Sequence, residues 1–368
     1  MKLTIDRDIF AKILKKVDGV CSKSGTFAIL SSCLIEASRG SITITGTDLD
    51  ITLKVFDKAR VEEEGKVVLN SKRLLDTVQT QQPGSDIRLT TEGNQVLIES
   101  GNFRARIPSN DLAEFPSIPS IKTNASLTMP ASTFKDLIDK TSFSISRDDS
   151  RTDFTGALLT ISPNGRIQMV STDGHRLSRI ESVIDVSGEL PRGLESGVIV
   201  PLKGLNEISK NLTEGDISLD LSGGKIVVAS SQVAFCINLI AGQFPDFSKV
   251  IPSTLDHKAV IRRDDFQQLL RRASIYTAKI GTIRLTMSRG RLEVSTFDHH
   301  HGEMRDFIDC EYDGSGVTAG FNWRYIDQIL SVIGCDMVSL EIIDMDSPAV
   351  VRDITTDKLD YIVMPMQL

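Results

Sequence analysis

A chain of 368 residues with 40% hydrophobic and 25% charged side chains is long enough for two or three ordinary domains and too apolar to be disordered. Its 42 basic and 49 acidic residues leave a net charge of −7, an average that taken alone argues against nucleic-acid binding. Charges at Asp6, Arg7 and Asp8 break any secretory signal core, no apolar run reaches the roughly 18 residues of a membrane span, and five scattered cysteines without a C-x-x-C pair predict a reducing cytoplasm.

The first predicted helix covers 6–18, after a short alternating strand. Phe10, Ile13 and Leu14 share one of its faces, because residues three and four apart lie together on a helix. Alternation and β-branched content predict strands at 41–45, 87–89 and 95–99, and the β-rich run at 67–70 turns into a second helix over 71–81. The pattern then restarts. A helix over 130–143 carries Phe134, Leu137 and Ile138, a β-rich run leads into a helix over 201–212, and strands follow at 217–221 and 225–229. It starts a third time, with Phe266, Leu269 and Leu270 on a helix over 263–275, a strand at 291–295 and a helix over 322–333. A further landmark recurs inside each copy: Thr47-Asp48, Thr172-Asp173 and Thr296-Phe297-Asp298.

Three landmarks in one order, three times, make the chain three copies of one module. Proline clusters at 116–119 and 245–252 set the expected boundaries at 1–121, 122–252 and 253–368. Each module reads as two helices on antiparallel sheet, an α+β fold.

The charge is unevenly spread. The six helical segments hold 14 basic and 10 acidic residues, a net of +4, which leaves −11 for the remainder. The cationic candidates among them are Lys12, Lys15, Lys16, Lys72, Arg73, Lys135, Lys140, Lys203, Lys210, Arg271, Arg272 and Arg324. They are either ordinary solvated helix faces or one surface turned toward a polyanion.

Catalytic motifs are absent: no Walker A, G-x-G-x-x-G, G-x-S-x-G or H-E-x-x-H sequence occurs. Asp173 with His175 could serve a hydrolase, but the sequence supplies no nucleophile beside them. His299-His300-His301 would point to alternate faces of a strand, so neither a metal nor another cofactor is expected. The ending 361–368 is apolar and rich in methionine, which suits a docked terminus or a pocket for varied apolar side chains. Phe103, Ala105 and Ile107 alternate with Arg104 and Arg106, as an edge strand or an ordinary internal strand would.

Together the segments Thr45-Gly46-Thr47-Asp48-Leu49, Thr172-Asp173-Gly174-His175-Arg176-Leu177, Phe244-Pro245-Asp246-Phe247, Gly320-Phe321-Asn322 and Val363-Met364-Pro365-Met366-Gln367-Leu368 resemble the bacterial β sliding clamps, the processivity subunits of DNA polymerase III. The resemblance covers the full chain. It implies a non-catalytic head-to-tail homodimer closed as a ring, with helices inside around double-stranded DNA and sheets outside. It implies a partner pocket for the polymerase III alpha subunit, the clamp loader delta subunit and other motif-bearing proteins. The matched pocket positions are Phe154, Thr172, Gly174, His175, Arg176, Leu177, Pro245, Val250, Asn322, Tyr325, Val363, Met364, Pro365 and Met366; Phe154 stands where the family usually has leucine. Lys23, Arg147 and Arg151 join the helix cations as DNA-facing candidates. The ring joint is expected to bring Phe103, Arg104, Ala105, Arg106 and Ile107 against Ile275, Tyr276, Glu303 and Asp306. The alternatives are a hydrolase using Asp173 and His175, or a repeat-built scaffold without a DNA role.

Overall fold

Among the described residues six α-helices punctuate a largely β chain: α1 (Arg7–Val20), α2 (Ser71–Gln79), α3 (Ala131–Asp139), α4 (Leu202–Asn211), α5 (Arg263–Ser274) and α6 (Trp323–Val332). The computed structural model describes residues 1–22, 27–118, 127–186, 190–212, 214–252 and 258–367. All six helices fall where the hydrophobic period puts them. The repeat phenylalanines Phe10, Phe134 and Phe266 are fully buried. Local chemistry sets the starts: Asp6 accepts from the Asp8 and Ile9 amides, Asn70 from Arg73 and Asn322 from Arg324. The helix expected over 130–143 is shorter at both ends. Pro130 closes the preceding strand, and beyond Asp139 the Thr141 hydroxyl donates back to the Leu137 carbonyl before a 3₁₀ turn, Ser142–Ser144.

Chain contacts divide the molecule into two units. The first comprises Met1–Lys135, Asp185–Gly193 and Lys203–Leu239; the second comprises Asp136–Ile184, Leu194–Leu202 and Ile240–Leu368. The first holds a five-stranded antiparallel sheet in the order Arg60–Glu63, Lys2–Asp6, Asp86–Glu92, Gln95–Ser100, Phe103–Pro108. It also holds an eight-stranded sheet: Leu127–Pro130, Asp216–Ser222, Lys225–Ala229, Val233–Asn238, Ile51–Lys58, Ser41–Thr47, Ser32–Ser38, Gly65–Asn70. The second unit holds an eight-stranded sheet in the order Val198–Pro201, Gly156–Ile161, Arg166–Thr172, Arg176–Val183, Leu359–Val363, Ala349–Asp353, Met337–Glu341, Lys258–Arg262. Its four-stranded sheet runs Gly302–Asp309, Arg291–Asp298, Thr282–Ser288, Val317–Asn322.

In each eight-stranded sheet one seam joins strands far more distant in sequence than any other neighbours there. Val233–Asn238 pairs with Ile51–Lys58 in the first, and Leu359–Val363 pairs with Arg176–Val183 in the second. The strands occupying the corresponding places in the remaining repeats, Phe103–Pro108 and Gly302–Asp309, are edges of their sheets. None of the described helices is long and apolar enough to cross a membrane.

Candidate functional site

The turn between Arg166–Thr172 and Arg176–Val183 organises the site. The Thr172 hydroxyl donates to the Arg176 carbonyl (2.6 Å) and accepts from the Gly174 amide (3.0 Å). Asp173 Oδ1 accepts from the amides of His175 and Arg176, and its Oδ2 takes Arg176 Nε at 3.0 Å. Gly174 sits at φ +89°, in the left-handed region that favours glycine. A Cβ there would lie 2.7 Å from the Arg151 guanidinium. Asp173 is thus committed to its own turn and His175 is exposed, so the two do not form an acid–base pair. Asp298 does the same work, accepting from the His300 and His301 amides and pairing with the His301 ring. Among the described residues no group of three or more metal-ligating side chains converges.

Arg176 is buried. Its guanidinium donates to the Phe143 carbonyl (2.5 Å) and to Gln328 Oε1, and lies 4.5 Å from the Tyr325 ring centre. Burial lowers its pKa and the adjacent Asp173 carboxylate counteracts this. Burial likewise raises the Tyr325 hydroxyl's pKa.

Beside this wall, Val170, Leu177, Ile199, Phe244 and Ile362 form an apolar cluster flanked by Leu158, Ile240, Phe247 and Ile251. A 3₁₀ turn, Phe247–Val250, is capped by Asp246 and sets Phe247 edge-on to Phe244. The result is an apolar cavity of about 160 Å³ with Phe154 and Met364 in its lining. Arg151 stacks on Phe154 at 3.9 Å, and the Met364 amide donates to the His175 carbonyl. A shaped apolar cleft with few polar groups suits the apolar anchors of a peptide.

The cations differ in how they are held. Lys12, Lys15, Arg73 and Arg147 are exposed, with no ion-pair partner among the described residues. Lys72 pairs with Asp76, Lys140 with Asp136, Lys203 with Asp48, Lys210 with Glu207, Arg271 with Asp327 and Arg272 with Asp306. Lys135 donates to Ser209, Lys16 to the Asn211 carbonyl and Arg324 to the Lys279 carbonyl. Burial, with Lys12 nearby, lowers the Lys16 pKa. Lys23 lies outside the described residues.

On the edge strand Phe103–Pro108, Ile107 is buried while Arg104 pairs with Glu99 and Arg106 with Glu92. Phe103 and Ala105 are half-buried. In the second unit Ile275 is 69% exposed, Tyr276 follows it, and the nearby edge strand exposes Glu303 and Phe307.

Three family models match successive parts of the chain. They are the N-terminal domain of the DNA polymerase III beta subunit over residues 1–119, its central domain over 128–246 and its C-terminal domain over 248–367. The beta sliding clamp of Pseudomonas aeruginosa is 30% identical over the whole of both chains. The chain belongs to the DNA polymerase III beta subunit family. The beta sliding clamp of Escherichia coli K12 is 29% identical over the same full extent. Solved structures agree: the P. aeruginosa DNA polymerase III subunit beta superposes with a TM-score of 0.92 at 29% identity. A sliding clamp from Bartonella birtlesii, bound to griselimycin, superposes at 0.93 with 29% identity; both matches cover the whole of both chains.

Of the pocket residues the family resemblance names, Phe154, Thr172, Gly174, Arg176, Leu177, Pro245, Val250 and Met364 line the cavity. The others do not. His175 contributes its backbone carbonyl, and Val363 lies in the sheet opposite Arg176. Tyr325 stands behind Arg176, Asn322 caps α6, and Pro365 leads to Met366, whose amide donates to Gly320. Asp246, Phe247 and Ile362 line the cavity as well. The signal for Phe247 is the F-P-D-F run; Ile362 has no local signal, because it is placed by its pairing with the distant Leu177.

Proposed function

We propose that two copies of this chain close head to tail into a ring around duplex DNA and hold a replicative polymerase on it. The observation that carries the reading is the full-length family match. The open edges support it. In the two seams Cys236 lies opposite Thr52 and Ile362 opposite Leu177. The same register between two copies sets Arg106 against the partner's Glu303. It sets Arg104 against the partner's Arg305, and both of these arginines already have a glutamate, Glu99 and Glu293. Edge pairing of this kind satisfies two exposed ladders, and a head-to-tail contact closes when its rotation divides the circle. Three modules, 1–121, 122–252 and 253–368, then make six around the ring.

Such a ring is a non-catalytic processivity factor. Base contacts would pin it, so its helices need only a shallow positive potential toward phosphates. Lys12, Lys15 and Arg73 supply that potential, while the paired lysines add little net charge. Topology rather than affinity retains the DNA. The apolar cavity takes short motifs from the polymerase III alpha subunit, the clamp loader delta subunit and other partners. No cofactor is required, and the site of action is the nucleoid in the cytoplasm.

Loading on circular plasmid tests the ring. The protein is expected to stay bound at high salt and to leave when the plasmid is linearised; equal loss from both forms overturns the reading.

A further inference from the structure

The repeat carries the cavity's sheet face into the first unit, with one change of chemistry. Register places Ile199, Leu158, Val170, Arg179 and Asp360 in one row across five strands beneath and beside the cavity. The first unit has a matching row: Val68, Leu34, Thr45, Lys54 and Ala234. Thr45 is on the face away from α1, because its neighbour Gly46 abuts Val17 and Cys21. The lids match too. Phe115 and Ile118, in F-P-S-I, pack on Leu34 and Val68 as Phe244 and Phe247, in F-P-D-F, pack on Ile199. Between lid and strands lies a cavity of about 460 Å³.

The difference is at the end of the row. Arg179 has Asp360 beside it and pairs with it. Lys54 has Ala234 in that place, and no carboxylate pairs with it among the described residues. Thr45, next to Lys54, is fully buried, and its hydroxyl has no hydrogen-bond partner among the described residues. Of the two, Lys54 lines the cavity, and a half-buried ammonium without a counter-charge there favours an acidic partner. On the other rim Lys66 is already paired with Glu36 at 2.5 Å.

We propose that this face of the first unit is a second docking groove, one that takes an acidic peptide segment with a single apolar anchor. The anchor enters between Leu34, Phe115 and Ile118. A peptide carboxylate gives Lys54, in the cavity wall, the counter-charge that Arg179 finds in Asp360. The groove lies within one copy of the chain and does not depend on ring closure.

The test is methyl NMR on the full chain, labelled at leucine, isoleucine and valine methyls, titrated with a decapeptide carrying one leucine flanked by aspartates. Saturable shifts are expected at Leu34 and Ile118. Lys54→Ala, and separately a peptide with asparagine for aspartate, are each expected to weaken binding about tenfold, the scale of one charge-assisted hydrogen bond. Met364→Ala is expected to leave it unchanged. The proposal is overturned by absent shifts at Leu34 and Ile118, by shifts confined to Leu177 and Ile362, or by affinity indifferent to Lys54. Concentration-dependent shifts at Leu34 and Ile118 without peptide would assign the groove to a second copy of the chain and overturn it too.

Discussion

Leu49 holds, at φ +83°, the backbone conformation that Gly174 holds at φ +89° in the equivalent turn. The hydrogen bonds around them correspond: the Thr47 hydroxyl takes the Leu49 amide and Asp48 takes the amides of Asp50 and Ile51. A left-handed residue with a Cβ costs about 1–2 kcal/mol. Leu49→Gly removes that strain and adds unfolded-chain entropy, for an expected net stabilisation of up to about 1 kcal/mol. Gly174→Ala is expected to destabilise by about 1 kcal/mol or more and to push Arg151 off Phe154. Denaturant titration of both variants checks the opposite signs. Peptide binding should change for Gly174→Ala alone.

The ring joint can be tested by charge exchange. Arg106→Glu sets two acids opposite each other across the joint and is expected to weaken the dimer by several-fold or more. Glu303→Arg alone is expected to do likewise. The double variant Arg106→Glu with Glu303→Arg should regain much of the loss. Sedimentation equilibrium of all four proteins measures the coupling, and strictly additive losses would show that the two residues do not meet.

Cations without a carboxylate partner are expected to matter more for DNA than paired ones. Alanine at Lys12, Lys15 or Arg73 should lower affinity for linear duplex and reduce the salt slope by about one each. Alanine at Lys72, Lys203 or Lys210 should have a smaller effect, since each already shares its charge with Asp76, Asp48 or Glu207. Binding isotherms across a salt series distinguish the two groups.

What could be read in the sequence was local. The i, i+3, i+4 spacing after Phe10, Phe134 and Phe266 located three helices, and alternation in 103–107 was that of the edge strand the structure contains. Long-range register was not legible. Leu177 lies opposite Ile362, 185 positions away, so nothing near either residue indicated that Ile362 lines the cavity. The cation count was misleading for the same reason. Lys203 meets Asp48 from 155 positions away, and a +4 sum over helices cannot record an acid supplied by a turn. Asp173 looked chemically suggestive because a turn-capping aspartate and a catalytic one are the same residue in text. Only the hydrogen bonds to His175 and Arg176 separate them.

Beyond the cavity, the same sheet face carries a ladder of charges whose two acids should behave oppositely. Asp360, 1% exposed, accepts from Arg179 on one oxygen and from Arg352 on the other. Removing it by Asp360→Asn leaves Arg179 and Arg352 only their longer contacts with Glu181 and Glu341 and is expected to cost about 3 kcal/mol. Glu341 is also buried, but its contacts, with Arg352 at 3.3 Å and the Ser339 hydroxyl at 3.4 Å, are long. Burial raises the Glu341 pKa, and Arg352 and Lys258 only partly oppose it. A carboxyl that holds its proton more tightly folded than unfolded loses stability as pH rises from its unfolded pKa through its folded one, and the penalty is complete above that window. Glu341→Gln removes the penalty while keeping the shape. It is therefore expected to match the parent near pH 4 and to exceed it by up to about 1 kcal/mol at pH 7. Chemical denaturation at the two pH values decides the matter. A Glu341→Gln variant less stable than the parent at pH 7, or a difference that does not grow with pH, would mean that Arg352 holds Glu341 as firmly as it holds Asp360.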